Sequence, residues 1–218
     1  MTLAIFDLDH TLLDGDGPEL WFNFLISKGV VEESAHRKAL SRFAELYNSG
    51  ELDAQEWASY ESAPQVTHSR EQLLAWRDEF RDQHTRHRIP AESHELLANH
   101  RRQGHTRVVM SATNRFIVEA STALMDVDHV FATELREENG RCTGNIHGTP
   151  CFKEGKVAII EEWAEKWGHD LDGAYFYSDS INDLPLLERV CNPVVVNADK
   201  RLAPIAKERG WPMLYHRV

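Results

Sequence analysis

Leu3-Ala4-Ile5-Phe6-Asp7-Leu8-Asp9-His10-Thr11-Leu12-Leu13-Asp14 decides how this 218-residue chain is read. Four successive apolar residues fit a strand buried on both faces, as in a parallel sheet. The two carboxylates that follow are spaced i, i+2, so they project to the same side of an extended chain. At about 4 Å, two such charges repel by roughly 1 kcal/mol in water and roughly 4 kcal/mol at an effective dielectric near 20. Beside a core, Asp7 and Asp9 therefore call for a cation or a shared proton. They read as metal or catalytic residues rather than solvated surface.

Working outward, Arg107–Met110, Ala174–Tyr177 and Pro193–Val196 are further apolar runs, with shorter candidates at His129–Ala132 and Pro212–Tyr215. Helix-like stretches lie between them. In Lys153–Trp167, for example, Val157, Ile160, Ala164 and Trp167 recur at helical spacing. Alternating strands and helices predict an α/β fold with a parallel, Rossmann-like sheet, whose ligands collect at the carboxyl ends of the strands. Residues 15–89 hold no convincing strand but several amphipathic pieces: Glu19–Lys28, Ser34–Asn48, Gln55–Tyr60 and Ser69–His84. The simplest account is a helical cap over 15–89, inserted into a core formed by 1–14 and 90–218. Within the core, Asn139-Gly140 predicts a type I′ hairpin over 133–146.

Composition narrows the functional classes. A formal net charge of −11 disfavours a nucleic-acid partner, which needs clustered Lys and Arg. No apolar run reaches membrane-spanning length, and the first residues serve better as a strand than as a leader. Three widely spaced cysteines do not suggest a disulfide framework. A cytoplasmic protein is the expectation.

Other strand ends also carry polar groups. The second strand runs into Ser111-Ala112-Thr113-Asn114, where a hydroxyl and free backbone N–H groups would cradle a phosphate. A plain helix cap is the competing reading for Ser111. Asp179 ends the strand Ala174–Tyr177 and its following serine, with Asn182 and Asp183 just beyond. Two strand ends with paired carboxylates make an oxygen-rich site that suits Mg²⁺ better than zinc. Lys156 sits near a helix start, where the dipole opposes it, so it needs another reason to be there. Neutralising carboxylates and phosphate is such a reason, with Lys153 as the rival.

These residues, in this order, resemble the four motifs of the haloacid dehalogenase (HAD) superfamily of aspartate-nucleophile phosphatases. Asp7-x-Asp9-x-Thr11 matches the first, Ser111 the second, Lys156 the third and Asp179-x-x-x-Asp183 the fourth. The insertion after the first motif looks like the C1 cap of the phosphoserine phosphatase-like branch. The resemblance implies Asp7 as nucleophile and Asp9 as general acid and base. It implies a Mg²⁺ held by Asp7, the carbonyl of Asp9 and Asp179, with Asn182 and Asp183 in support. Ser111, Ala112 and Lys156 would bind the phosphoryl group of a small phosphorylated metabolite. His10, Asp16, Thr113 and Asn114 are candidate substrate contacts.

Ala-Thr-Asn-Arg-Phe after Ser111 and the Tyr-Ser-Asp-Ser-x-Asn-Asp string resemble a bacterial subgroup that includes histidinol-phosphate phosphatases. Histidinol phosphate is thus the first expected substrate, and phosphoserine the second. A phosphotransferase or mutase using the same aspartyl-phosphate is the rival activity. A non-enzymatic binding module would have no need of Asp9 as an acid.

Overall fold

The opening apolar run forms strand β1 (Thr2–Phe6), and its alternating side chains feed two separate cores. Leu3 and Ile5 pack with Val108, Met110 and Phe176 on one face of the sheet. Ala4 and Phe6 pack with Val109, Tyr177 and Val196 on the other. Burial on both sides is why the run shows no polar alternation. The computed structural model describes residues 2–49 and 51–215. Met1, Gly50 and His216–Val218 lie outside that description, as do the outer limits of the expected core.

The other core strands are β2 (Thr106–Asn114), β3 (His129–Thr133), β6 (Asp170–Ser178), β7 (Asn192–Val196) and β8 (Met213–Leu214). They form a six-stranded parallel sheet in the order β3-β2-β1-β6-β7-β8. β2 and β3 extend to one side of β1, and β6 to β8 extend to the other. Strand order therefore reverses at β1, and its carboxyl edge is the crevice where parallel sheets bind ligands. This is the expected α/β class.

Between β1 and the next core helix the described chain forms only helices and turns. They are α1 (Gly17–Ser27), α2 (Glu33–Ser49), α3 (Ala54–Glu61), α4 (Ala63–Thr67) and α5 (Arg70–Phe80), followed by tighter and wider turns through Arg88. Asp16, Asp53 and Ser69 start α1, α3 and α5 by accepting hydrogen bonds from the backbone N–H of Glu19, Glu56 and Gln72. Trp21, Phe24, Leu25 and Phe80 pack on Ile117 and Ala120 of α7 (Arg115–Thr122). Arg77, within the apolar stripe of α5, lies over the Phe116 ring and pairs with Glu119 at 2.6 Å. Entry and exit of the helical segment are tied together. The Asp14 N–H donates to the Arg88 carbonyl at 2.7 Å, and Arg88 returns a hydrogen bond to the Asp14 carboxylate at 3.0 Å.

Helices α6 (Ala91–Arg102), α7, α8 (Glu154–Trp167), α9 (Leu184–Arg189) and α10 (Leu202–Glu208) complete the core. The hairpin joins β4 (Leu135–Glu138) to β5 (Arg141–Ile146). Both Asn139 and Gly140 have positive φ, 52° and 75°, as a type I′ turn requires. Its two strands form a sheet of their own and pack on α3 and α4 rather than joining the core sheet. The Gln55 amide of α3 donates to the Gly144 carbonyl at 3.1 Å and accepts from the Ile146 N–H at 2.8 Å.

Two local expectations need correction. Trp167 is 64% exposed, because the buried stripe of α8 ends at Ala164 and Trp163 takes the partly buried position instead. The second strand does not stop at Met110, because β2 runs on through Asn114 and bulges between Ser111 and Asn114.

Candidate active site

Four chain segments converge at the carboxyl edge of the sheet. Asp7 leaves β1 with its N–H bonded to the Tyr177 carbonyl at 2.8 Å, so its backbone continues the ladder with β6. Lys156, in the first turn of α8, is 2% exposed and bonds Asp7 Oδ1 and Asp183 Oδ2, each at 2.7 Å. Ser178 adds a hydrogen bond to the same Asp183 oxygen at 2.7 Å. The early position of Lys156 on α8 depends on Gly155, where a Cβ would come within 2.0 Å of the Pro150 carbonyl oxygen. The rival Lys153 instead lays its ammonium over the Phe152 ring.

Electrostatics follow from burial. Loss of water pushes the Asp7 carboxyl up to about 7 against the pull of Lys156, while Asp183 and Asp9 add to the rise. Burial costs the Lys156 ammonium as well, but Asp183 and Asp7 outweigh that cost and hold it charged. Asp179 is pushed up to about 9 by burial and by the neighbouring Asp7 and Asp183. The cluster carries more negative charge than one lysine balances.

Asp9 is held differently. Its Oδ1 accepts the Gly17 N–H at 2.7 Å, and its Oδ2 accepts the hydroxyls of Thr113 at 2.9 Å and Ser111 at 3.3 Å. A Cβ at Gly17 would lie 2.9 Å from Asp9 Oδ1, so a side chain there crowds this contact. Burial and the charge of Asp16 raise the Asp9 carboxyl to about 6.

The fit to a cation can be judged from these donors. No three His, Cys, Asp or Glu side chains among the described residues close into a metal cage. Asp7 and Asp179, with the backbone carbonyl of Asp9, would offer a short all-oxygen set. Mg²⁺ binds in this way, keeping several waters beside one or two carboxylates. The uncompensated charge around Asp179 is the local reason to expect it.

Above the edge opens a cavity of about 510 Å³. Asp7, Asp9, His10, Asp16, Ala112, Thr113, Lys156, Asp179, Asn182 and Asp183 line it. Phe22, Phe43, Trp57 and Ile146 supply apolar walls from the helical segment and the hairpin. Ser111, 1% exposed, lies just beneath, with its hydroxyl shared between Asp9 and the Thr113 N–H. Asn114 does not line the cavity. It is fully buried, caps α7 and accepts a hydrogen bond from Gln65.

Sequence reasoning missed Glu61. This last residue of α3 is 1% exposed and lines the cavity. Its Oε2 accepts the Asn114 N–H at 3.2 Å, while its Oε1 has no hydrogen bond among the described residues. Burial raises its carboxyl to about 8, with Asp16 and Asp9 adding to the rise.

A parallel sheet with an aspartate pair at the turning point, a buried lysine and a roofed cavity defines a class of hydrolase. The chain belongs to the haloacid dehalogenase-like hydrolase family, whose model matches residues 4–188. It is similar to the histidinol-phosphatase of Neisseria meningitidis, 38% identical over 216 residues and 97% of each chain. It is also similar to a solved Bordetella pertussis protein described as of unknown function. There the TM-score is 0.90 at 37% identity, covering 98% of this chain and 99% of the other. A substrate-bound phosphoserine phosphatase shares the fold at a TM-score of 0.69 and 18% identity, over 98% and 92% of the two chains. The protein is a phosphatase. No helix among the described residues is long and apolar enough to cross a membrane.

Proposed function

We propose that this phosphatase is a Mg²⁺-dependent phosphomonoesterase that works through an aspartyl-phosphate and takes histidinol phosphate as its substrate. One observation carries the substrate reading: the charge pattern along the cavity. The lone Lys156 stands at the sheet end, and the carboxylates of Asp16 and Glu61 stand toward the helical segment. No second Lys or Arg lines the cavity among the described residues. A phosphate ester of an amino alcohol places its ammonium near acids. Phosphoserine would add a carboxylate facing Asp16 and Glu61 with no cation to receive it. The Neisseria meningitidis relative, matched over 97% of its length, supports the same choice.

In this reading residues 15–89 act as the cap and 1–14 with 90–218 as the catalytic core. Asp7 attacks phosphorus, and the bond to the alcohol oxygen breaks. Asp9 gives its proton to that oxygen, and its raised pKa lets it hold the proton near neutral pH. The enzyme is left as an aspartyl-phosphate on Asp7. Asp9 then takes a proton from water, whose oxygen displaces Asp7 from phosphorus and releases inorganic phosphate. Lys156 pulls Asp7 toward its ionised form, and with Ser111 and the backbone at Ala112 it grips the phosphoryl oxygens. Asp7, Asp179 and the Asp9 carbonyl would hold Mg²⁺, supported by Asn182 and Asp183. The bound ion offsets the carboxylates and draws charge from the transferring group.

The test is release of inorganic phosphate from histidinol phosphate, phosphoserine and sugar phosphates, with Mg²⁺ or with EDTA. Histidinol phosphate should give the highest kcat/KM, and EDTA should abolish turnover until Mg²⁺ is restored. A flat profile removes the substrate assignment, and full activity in EDTA removes the metal.

A further inference from the structure

We propose that Glu61 determines specificity for the ring of the substrate, its free carboxylate oxygen accepting an imidazole N–H while Trp57 covers the ring face. The inference rests on the histidinol phosphate reading and gives its far end a recognition site.

Trp57 and Glu61 are four residues apart on α3, so they share one helix face, and both line the cavity. Phe43 meets Trp57 edge-on, with ring centroids 5.1 Å apart, which braces the indole. The resulting wall is flat and apolar with an acid at one end. A flat ring that carries N–H donors matches it, because the ring stacks and the donor meets the acid.

Glu61 has a structural contact and a face left over for a ligand. One oxygen accepts the Asn114 N–H and the carboxyl also faces the Asn114 side-chain amide, while Oε1, which lies at the cavity wall, has no hydrogen bond among the described residues. Leaving an acceptor in that condition is unfavourable, and a ligand donor would relieve it. Asp16 is a separate acid, at the start of the helical segment and beside Asp9. Its Oδ1 caps α1 at Glu19, and its place near Asp9 suits the ammonium beside the phosphate. Two acids at two positions fit a substrate with two nitrogen-bearing groups. The raised carboxyl pKa adds that the empty site favours a neutral Glu61, which an arriving imidazolium would draw into its charged form. The groups bearing on that charge are the Asn114 side-chain amide and N–H, which favour it, and Asp16 and Asp9, which oppose it.

The experiment compares kcat/KM for histidinol phosphate with that for 2-aminopropyl phosphate, the same amino-alcohol ester without its ring. In Glu61→Gln the preference for the ring-bearing ester should fall by roughly 10- to 100-fold, the range for a hydrogen bond to a charged group. Trp57→Leu should lower the same ratio by about 10-fold and serves as the second arm if Glu61→Gln folds poorly. Equal losses on both esters would overturn the proposal, since they mark a structural role. An unchanged ratio in both variants overturns it too. A wild-type enzyme that prefers phosphoserine defeats the substrate reading and this inference together. One that prefers histidinol phosphate while both variants keep the ratio defeats only the role of Glu61.

Discussion

The sheet end of the cavity and the end at the helical segment, the proposed cap, are built on opposite terms. At the sheet end, Lys156 spans Asp7 and Asp183, Ser178 holds Asp183, and three donors fix Asp9. These groups come from four separated segments, and each is buried or half-buried. At the cap end, Glu61 keeps an unbonded oxygen between aromatic walls drawn from α1, α2 and α3. Geometry for the chemistry is set before any ligand arrives, whereas recognition is left for the ligand to complete. Changes at the sheet end should therefore affect every substrate alike, and changes at the cap end should sort substrates.

The largest break is Asp7→Asn. Turnover of all esters should fall by roughly 10⁴-fold or more, read as phosphate release, while circular dichroism stays native. Retained activity would end the nucleophile assignment. Next is Lys156→Met, which leaves two buried carboxylates facing one another. Breaking a buried pair this way costs about 3–5 kcal/mol, measurable by urea unfolding. A wild-type midpoint in this variant would show that the network holds no strain-bearing charge.

Gly17→Ala sharpens the comparison at its seam, because Gly17 opens the helical segment yet its N–H bonds Asp9 in the core. A Cβ 2.9 Å from Asp9 Oδ1 must displace that carboxyl. A drop in kcat of about 10-fold is expected with little change in KM or melting temperature. Loss confined to KM would place Gly17 with recognition instead.

The smallest effect lies beneath the site. His100 is buried against Tyr177, its Nε2 2.8 Å from the phenol oxygen, and burial and His105 press its pKa down to about 4. The unfolded chain thus binds a proton near pH 6.5 that the folded chain refuses until about pH 4. Stability should fall through that window as pH drops, by up to about 3 kcal/mol. Denaturation of His100→Gln against pH should flatten that part of the curve.

Much of the sheet end was legible in the sequence, because Asp7, Asp9, Ser111 and Asp179 stand where apolar runs stop and Lys156 opposes a helix dipole. A buried parallel strand announces its end, and the end is where the site lies. Asn139-Gly140 was legible for a similar reason, since few residues tolerate two positive φ angles in succession. Glu61 was not. It is one of 35 acidic residues, and nothing local distinguishes a buried glutamate from a solvated one. Only the packing of α3 over the cavity does so, although the Trp57 to Glu61 spacing was a usable hint. Asn114 and Trp167 failed at element boundaries. β2 extended past the last apolar residue, and the helical period of α8 outlasted its burial by one turn.

The Gln55 amide has one more consequence. It meets β5 as a residue of a neighbouring parallel strand would, donating to the Gly144 carbonyl and accepting from the Ile146 N–H on either side of Asn145. A two-stranded ribbon leaves open edges that invite pairing with other chains. Here the Gln55 amide, with the Ser59 hydroxyl also donating to the Gly144 carbonyl at 3.2 Å, closes that stretch of one edge. The hairpin is thereby shielded from self-association where it borders the cavity, and Ile146 is kept facing it.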